Sequence, residues 1–187
     1  DTVFTQATRQ VIRAFRELSP RITLKEYGLD HELARRYQVT RSPTLLVAPE
    51  RYSIRWLGAP MGEEARTLLE TFMLVGLGRS NLSDASQKVL RRIDSARQVK
   101  VFVSATCPYC PQQAVNGVKA AIELPEHISL EIIDIQSETT CTIAEAAILS
   151  SSVKAMRLSP RGGMPQPEVA LALGVESNPR VSAGGAA

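Results

Sequence analysis

The sequence predicts an α/β protein built from two related units in tandem, of which only the second carries a pair of cysteines. The first observation is an internal repeat: residues 11–24 align without gaps with residues 117–130, an offset of 106 residues. Self-similarity at a fixed offset marks a repeated structural unit. The second is that helical apolar spacing alternates with short strand-like apolar runs along the chain. Third, a chain of 187 residues with 44% hydrophobic residues is long enough for two cores of roughly 80 to 100 residues each.

The first unit is assigned to residues 1–78, with the expected order helix, strand, helix, strand, strand, helix. Apolar side chains at helical spacing predict the first helix and its buried face. Asp30 is the expected N-cap of the second helix, because its carboxylate can accept hydrogen bonds from unpaired backbone N–H groups. The predicted elements are a helix over 4–18 with the buried stripe Val11, Ile12, Phe15 and Leu18, a strand over 22–27, a helix over 31–37, strands over 44–48 and 52–57, and a helix over 62–75.

The second unit is assigned to residues 98–174. A linker helix within residues 79–97 precedes it, and we expect the tail, residues 175–187, to be disordered. β-Branched and aromatic residues predict its first strand, because they suit a half-buried pleated surface. Its predicted elements are a strand over 99–103, a helix over 108–124 and a strand over 128–135.

Between the strand and the helix of the second unit lies Cys107-Pro108-Tyr109-Cys110. A sulfur at the start of a helix lies beside unpaired backbone N–H groups and the positive end of the helix dipole. The pKa of such a cysteine can therefore fall from about 8.5 to about 7 or lower. Cys107 is the expected attacking thiolate, and Cys110 the thiol that resolves a mixed disulfide. Pro108 suits the first helical position, and Tyr109 is expected to tune specificity and the thiol pKa.

Two other roles are open for the cysteine pair. It could supply half of a structural zinc site, which needs four ligands, and the other candidates are Cys141, His31 and His127. It could also be inert. In either case the chain would be a non-catalytic interaction module, with incidental or zinc-bound thiols, whose first unit docks a partner. Thiol reactivity separates these classes, because one fast-alkylating cysteine favours the enzyme and a slow, symmetric pair favours the module.

Composition argues against several classes of protein. The net charge of +3 comes from basic residues dispersed among acidic ones, which does not indicate nucleic-acid binding. No apolar run reaches the roughly 18 residues of a membrane span. Three cysteines do not make a disulfide scaffold, and one reactive pair with a spare thiol at Cys141 fits a reducing compartment. We therefore expect a cytoplasmic protein.

Both units resemble known folds. Residues 39–44, with Pro43 followed by Thr44, resemble the thioredoxin-family segment in which a cis-proline precedes the third strand and faces the Cys-x-x-Cys. Residues 102–111 are similar to glutaredoxin-like domains. The whole of residues 1–136 resembles protein disulfide oxidoreductases built from two thioredoxin folds. It also resembles the N-terminal region of alkyl hydroperoxide reductase flavoproteins, where only the second fold keeps its cysteines.

The resemblance implies a first unit without its N-terminal strand and without cysteines, since Asp1 and Phe4 align with Cys107 and Cys110. It implies a thiol–disulfide oxidoreductase that uses the Cys107–Cys110 disulfide, with Pro108, Tyr109, Pro43 and Thr44 in supporting roles and with no metal or nucleotide cofactor. The implied partners are a protein or small disulfide and a flavin-dependent disulfide reductase, in cis or in trans.

The second unit departs from the family pattern after its second strand. The position aligned with Pro43 is Leu149, and no proline lies between Pro125 and Pro160. A shifted reading frame over 137–156 would produce this pattern, and so would a genuine variant of the family. We expect a helix over 143–149 and a last helix through Leu173, with the C-terminal strands short or missing. Protein disulfides should therefore be poorer substrates than small ones.

Overall fold

The structure is a computed structural model and describes residues 2–137, 153–155 and 172–174. The described part is a mixed α/β fold with five helices and six strands. The elements in chain order are α1 (Val3–Leu18), α2 (Glu32–Arg36), β1 (Thr44–Leu46), β2 (Ser53–Leu57), α3 (Glu63–Leu77), α4 (Asp84–Leu90), β3 (Arg97–Val103), α5 (Cys110–Glu123), β4 (Ile128–Asp134), β5 (Val153–Ala155) and β6 (Ala172–Gly174).

The strands form one sheet in the order β1-β2-β4-β3-β6-β5. β2 and β3 both run parallel to β4, whereas β1 pairs antiparallel with β2, and β6 pairs antiparallel with β3 and β5. The register places Trp56 beside Ile132 and Ile132 beside Val101. The β2–β4 pair therefore joins the two halves of the chain through continuous backbone hydrogen bonds.

The core lies between this sheet and the helices on one of its faces. Trp56 and Ile132 are fully buried, and side chains in register on neighbouring strands share one face. α5 packs closely on that face at Gly117, where an added Cβ would lie 2.8 Å from Leu130 Cδ1. α1 packs on α3 through an edge-to-face contact of Phe15 and Phe72, with ring centroids 6.1 Å apart.

Charged side chains in register cross the opposite face of the sheet. Glu131 on β4 lies between Arg55 on β2 and Lys100 on β3, with nitrogen–oxygen distances of 3.6 and 4.0 Å. Arg55 also donates a hydrogen bond of 2.5 Å to the backbone carbonyl of Tyr37, the C-cap of α2. This contact attaches the short helix to the sheet.

The structure confirms most elements predicted for residues 2–137, and it corrects three local predictions in the first half of the chain. Residues 22–27 are not a strand: they form no ladder with β1 or with any other described strand, and a strand needs such a neighbour. The N-cap of α2 is His31, whose Nδ1 accepts from Leu33 N–H at 3.2 Å, so Asp30 does not cap it. Leu18 does not belong to the buried stripe of α1, because it is 73% exposed.

Two further corrections concern the second half. α5 begins at Cys110 and not at 108, so Cys107 and Pro108 precede the helix. The predicted last helix does not reach Leu173, because residues 172–174 are strand β6. The predicted helix over 143–149, Cys141, and the tail 175–187 lie outside the described residues. Among the described helices, none has the length and apolar character required to span a bilayer.

Candidate redox site at Cys107 and Cys110

The two cysteines lie at the junction between β3 and α5 and are joined by a disulfide, with their Cα atoms 5.5 Å apart. Their environments differ. Cys107 is half-buried, whereas Cys110 is 8% exposed and packs into the core. Cys107 therefore presents the sulfur that a substrate can reach.

The first turn of α5 faces the accessible sulfur. The backbone N–H of Cys110, the first residue of the helix, donates to Cys107 Sγ at 3.2 Å. Such N–H groups have no intrahelical partner, and the helix dipole adds positive potential at this end. The site can thus stabilise negative charge on Cys107 once the disulfide is reduced. The proline in the first turn is Pro111, not Pro108 as expected.

A tight turn carries Cys107. Its backbone N–H donates to the Ser104 carbonyl at 3.0 Å, so residues 104–107 close a single turn. Within the turn the hydroxyls of Ser104 and Thr106 are 3.3 Å apart. Pro108 and Tyr109 follow on the surface, with Tyr109 47% exposed. The rim around Cys107 therefore includes one exposed aromatic ring.

Two buried carboxyl groups lie next to this turn, and neither was predicted from the sequence. Glu64 in α3 is 1% exposed, and neither of its carboxylate oxygens has a hydrogen-bond partner among the described residues. Burial, and then the charges of Asp134 and Glu63, raise the pKa of Glu64 from 4.5 to about 7. Burial also raises the pKa of Asp134, against hydrogen bonds from the backbone N–H groups of Gln136 and Ala59. An acidic residue in a helix's first turn is ordinary in sequence, so no local signal distinguished Glu64.

The other predicted supporting residues, Pro43 and Thr44, lie in the first half. The Ser42–Pro43 peptide bond is cis, and Thr44 Oγ1 donates to the Arg41 carbonyl at 2.7 Å. Ser42 Oγ is 3.4 Å from Thr5 Oγ1 in the first turn of α1. β2 and β4 separate β1, which begins at Thr44, from β3, which leads to the cysteines. The structure therefore places this segment beside the N-terminus of α1.

The structure describes some of the residues considered for a zinc site. Among residues 2–137, no cluster of three or more His, Cys, Asp or Glu side chains could hold a metal ion. His31 uses its Nδ1 to cap α2. Cys141 lies outside the described residues.

Comparisons with solved structures identify the fold. The NTD_N/C domain of alkylhydroperoxide reductase AhpF from Enterococcus faecalis matches with a TM-score of 0.65 and 24% identity, over 80% of this chain and 73% of that chain. A mutant form of AhpF from the same organism matches with a TM-score of 0.66 and 25% identity, over 82% and 74%. A protein disulfide oxidoreductase from Aeropyrum pernix matches with a TM-score of 0.59 and 21% identity, over 76% and 67%.

The fold is thioredoxin-like. No family model and no curated protein matches the chain. The resemblance read from the sequence is thus confirmed at the level of the fold, and the solved relatives named above are oxidoreductases by their own descriptions. In this thioredoxin-like fold, the strand-to-helix junction leaves Cys107 half-buried and buries Cys110. A pair held in this way can alternate between a disulfide and a dithiol, and so carry two electrons.

Proposed function

We propose that the chain is a thiol–disulfide oxidoreductase in which Cys107 attacks and Cys110 resolves. The observation that carries the proposal is the asymmetry of the pair: the half-buried sulfur of Cys107 faces the first N–H group of α5, while Cys110 is buried. A thiolate in that position is both accessible and stabilised.

The reaction balances in two exchanges. The Cys107 thiolate attacks one sulfur of a substrate disulfide and forms a mixed disulfide, and the other substrate sulfur leaves as a thiolate that takes up a proton. The thiolate of Cys110 then attacks Cys107 Sγ and releases the second substrate thiol. Two electrons pass to the substrate, and the Cys107–Cys110 disulfide is formed again. A thiol or dithiol reductant must then reduce it for another turnover.

The proposed partners are disulfides on one side and a reductase on the other. The likeness to two Enterococcus faecalis alkylhydroperoxide reductase structures supports a flavin-dependent disulfide reductase as the electron donor, in cis or in trans. No cofactor besides the cysteine pair is required by the exchange chemistry. A reducing compartment such as the cytoplasm suits a pair that must be re-reduced in each cycle.

We also propose that the thioredoxin-like fold is duplicated, with units over 1–78 and 98–174 and the linker between them. The repeat at an offset of 106 residues supports this. So does the contact of Ser42 with Thr5, 3.4 Å between hydroxyl oxygens, because Thr5 lies in a helix whose first turn aligns with the cysteine motif of the second unit. In this arrangement the first unit carries no redox chemistry of its own.

Turnover of two substrates tests the proposed function. The oxidised protein is reduced with glutathione, and reduction of a small aromatic disulfide is followed beside reduction of insulin. We expect Cys107→Ser to abolish both activities and the wild-type chain to reduce the small disulfide faster than insulin. Equal, slow alkylation of both cysteines without turnover would favour the non-catalytic interaction module.

A further inference from the structure

We propose that Gln136 and Gly62 are positioning residues that clamp Ala105, and through it hold the sulfur of Cys107 against the first N–H group of α5. The inference rests on the proposed function and adds two residues to it. Neither residue belongs to the cysteine motif, and neither was predicted from the sequence to act at the site.

Ala105 is held from both sides. Its backbone N–H donates to the side-chain Oε1 of Gln136 at 3.0 Å, and its carbonyl accepts from the backbone N–H of Glu63 at 3.5 Å. Gln136 follows β4, and Glu63 is the first residue of α3. Ala105 is therefore fixed by two elements that are far apart in sequence.

The Gln136 side of the clamp is itself anchored in the core. The backbone N–H of Gln136 donates to Asp134 Oδ1 at 2.9 Å, and Asp134 is 3% exposed. Gly58 packs directly on Asp134, since an added Cβ would lie 2.6 Å from Asp134 Cβ. The side-chain oxygen of Gln136, which accepts the hydrogen bond from Ala105 N–H, is therefore carried by a backbone segment that has little freedom to move.

The Gly62 side of the clamp requires a glycine, because a residue with a Cβ would not fit there. Gly62 has a φ of +56°, and an added Cβ would lie 2.6 Å from the Ala105 carbonyl oxygen. A real Cβ does not tolerate that distance to a backbone atom, so any larger residue must displace the turn or the start of α3. Glycine permits both the positive φ and the close approach.

A displacement of Ala105 would also move the reactive sulfur, because Ala105 and Cys107 lie in the same turn. Residues 104–107 are closed by the hydrogen bond from Cys107 N–H to the Ser104 carbonyl, with Ala105 and Thr106 between them. The contact of Cys107 Sγ with the Cys110 N–H, 3.2 Å long, is made just beyond this turn. A loosened turn would weaken that contact, and the thiolate would then form at higher pH and react more slowly at low pH.

The test uses the full chain and two matched pairs of variants. Gln136→Ala removes the acceptor of Ala105, and Gln10→Ala on the exposed part of α1 is its control. Gly62→Ala adds the clashing Cβ, and Gly76→Ala is its control, because nothing lies within 4 Å of a Cβ at Gly76. After reduction, alkylation of Cys107 by iodoacetamide is measured between pH 4 and 9 by mass spectrometry, beside the thermal unfolding midpoint.

We expect both clamp variants to move the pH midpoint of Cys107 alkylation upward. Loss of one hydrogen bond of ordinary strength predicts a rate at pH 6 lower by about three- to tenfold. Both controls should retain the wild-type profile. The unfolding midpoint of Gln136→Ala should stay close to that of the wild-type chain, because the side chain is exposed. A merely structural role would change the unfolding midpoint without changing the pH profile.

The inference is overturned if Gln136→Ala keeps the wild-type pH profile of Cys107 alkylation, whatever the result for Gly62→Ala. If Gly62→Ala does not fold, the result for Gln136→Ala alone decides. The proposed function fails separately, if the wild-type chain does not turn over the small disulfide. The alkylation profile does not need turnover, so each result is assigned to one proposal.

Discussion

At the scale of single residues, the two cysteines are chemically different although they form one disulfide. Cys107 is half-buried and receives the N–H of Cys110, whereas Cys110 lies in the core. We predict that iodoacetamide labels Cys107 first across pH 4–9, with a midpoint below that of a free thiol. Mass spectrometry of the reduced chain gives the order of labelling, and faster labelling of Cys110 would reverse the assigned roles.

The resolving role of Cys110 gives a second prediction. In Cys110→Ser the mixed disulfide formed on Cys107 has no neighbouring thiol to attack it. We therefore expect this adduct to accumulate with a small disulfide and to be visible as an added mass on Cys107. The matched variant Cys107→Ser should form no such adduct, and an adduct on Cys110 in that variant would contradict the assignment.

Glu64 is the residue whose protonation should control stability near neutral pH. Burial, and then the charges of Asp134 and Glu63, raise its pKa from the ordinary value of 4.5 to about 7, so the folded state binds the proton more tightly than an exposed glutamate does. Protonated Glu64 therefore stabilises the folded state: this contribution is fully present below about pH 4.5 and is lost as the pH rises to about 7. The rise in the pKa of Glu64 corresponds to a change in the free energy of unfolding of about 3 kcal/mol at most. We predict that unfolding free energy falls over this range.

Urea unfolding of Glu64→Gln across pH 4.5–8 tests this prediction. The neutral amide cannot ionise, so the fall in stability with pH should be smaller than in the wild-type chain, with a remainder from Asp134, whose pKa is also raised. At pH 8 the variant should be the more stable of the two. Parallel curves for the two proteins would show that Glu64 does not carry the effect.

At the scale of elements, α5 owes its position over the sheet to a glycine. A Cβ at Gly117 would lie 2.8 Å from Leu130 Cδ1 and 3.4 Å from Val101 Cγ2, and Leu130 is itself 1% exposed. We predict that Gly117→Val destabilises the fold by about 1–3 kcal/mol through overpacking. Gly76→Ala, in a helix with open space around it, should instead stabilise by about 0.5–1 kcal/mol. Urea midpoints of the two variants that shift in the same direction would refute the packing argument.

The predicted strand over 22–27 shows what an element needs beyond its own residues. Leu24 packs against the core, yet the segment has no strand partner among the described residues. A strand's backbone N–H and C=O groups are satisfied by its neighbours, so propensity alone does not create one. The backbone hydrogen bonds of a helix are made within the helix itself, and α1, α3 and α5 accordingly form close to their predicted ranges.

At the scale of the whole molecule, the β2–β4 pair makes the halves of the chain depend on each other. Trp56 on β2 is fully buried beside Ile132 on β4. We predict that the described part unfolds in one transition, with far-UV circular dichroism and alkylation of buried Cys110 in the reduced chain sharing one midpoint. Trp56→Ala should lower the unfolding free energy by about 3–5 kcal/mol and shift both signals together.

Two separated transitions would contradict this prediction. So would a Trp56→Ala variant in which the circular dichroism signal shifts while the exposure of Cys110 does not. Ser53 on the same strand is exposed, and Ser53→Ala is the matched control that should leave both midpoints unchanged.

Features that depend on neighbouring residues could be predicted from the amino-acid sequence: the helices, the strands β3 and β4, and the cysteine pair between a strand and a helix. Periodicity and the Cys-x-x-Cys spacing are local, and a helix or a helix N-terminus follows from them. The remaining features arise only when the chain folds. These features are the parallel pairing of β2 with β4, the burial of Glu64, and the contacts of Gly62 and Gln136 with Ala105. The pairing and the contacts bring together residues about 30 to 80 positions apart in the sequence. Such contacts depend on which surfaces meet when the sheet assembles, and no local pattern encodes that choice.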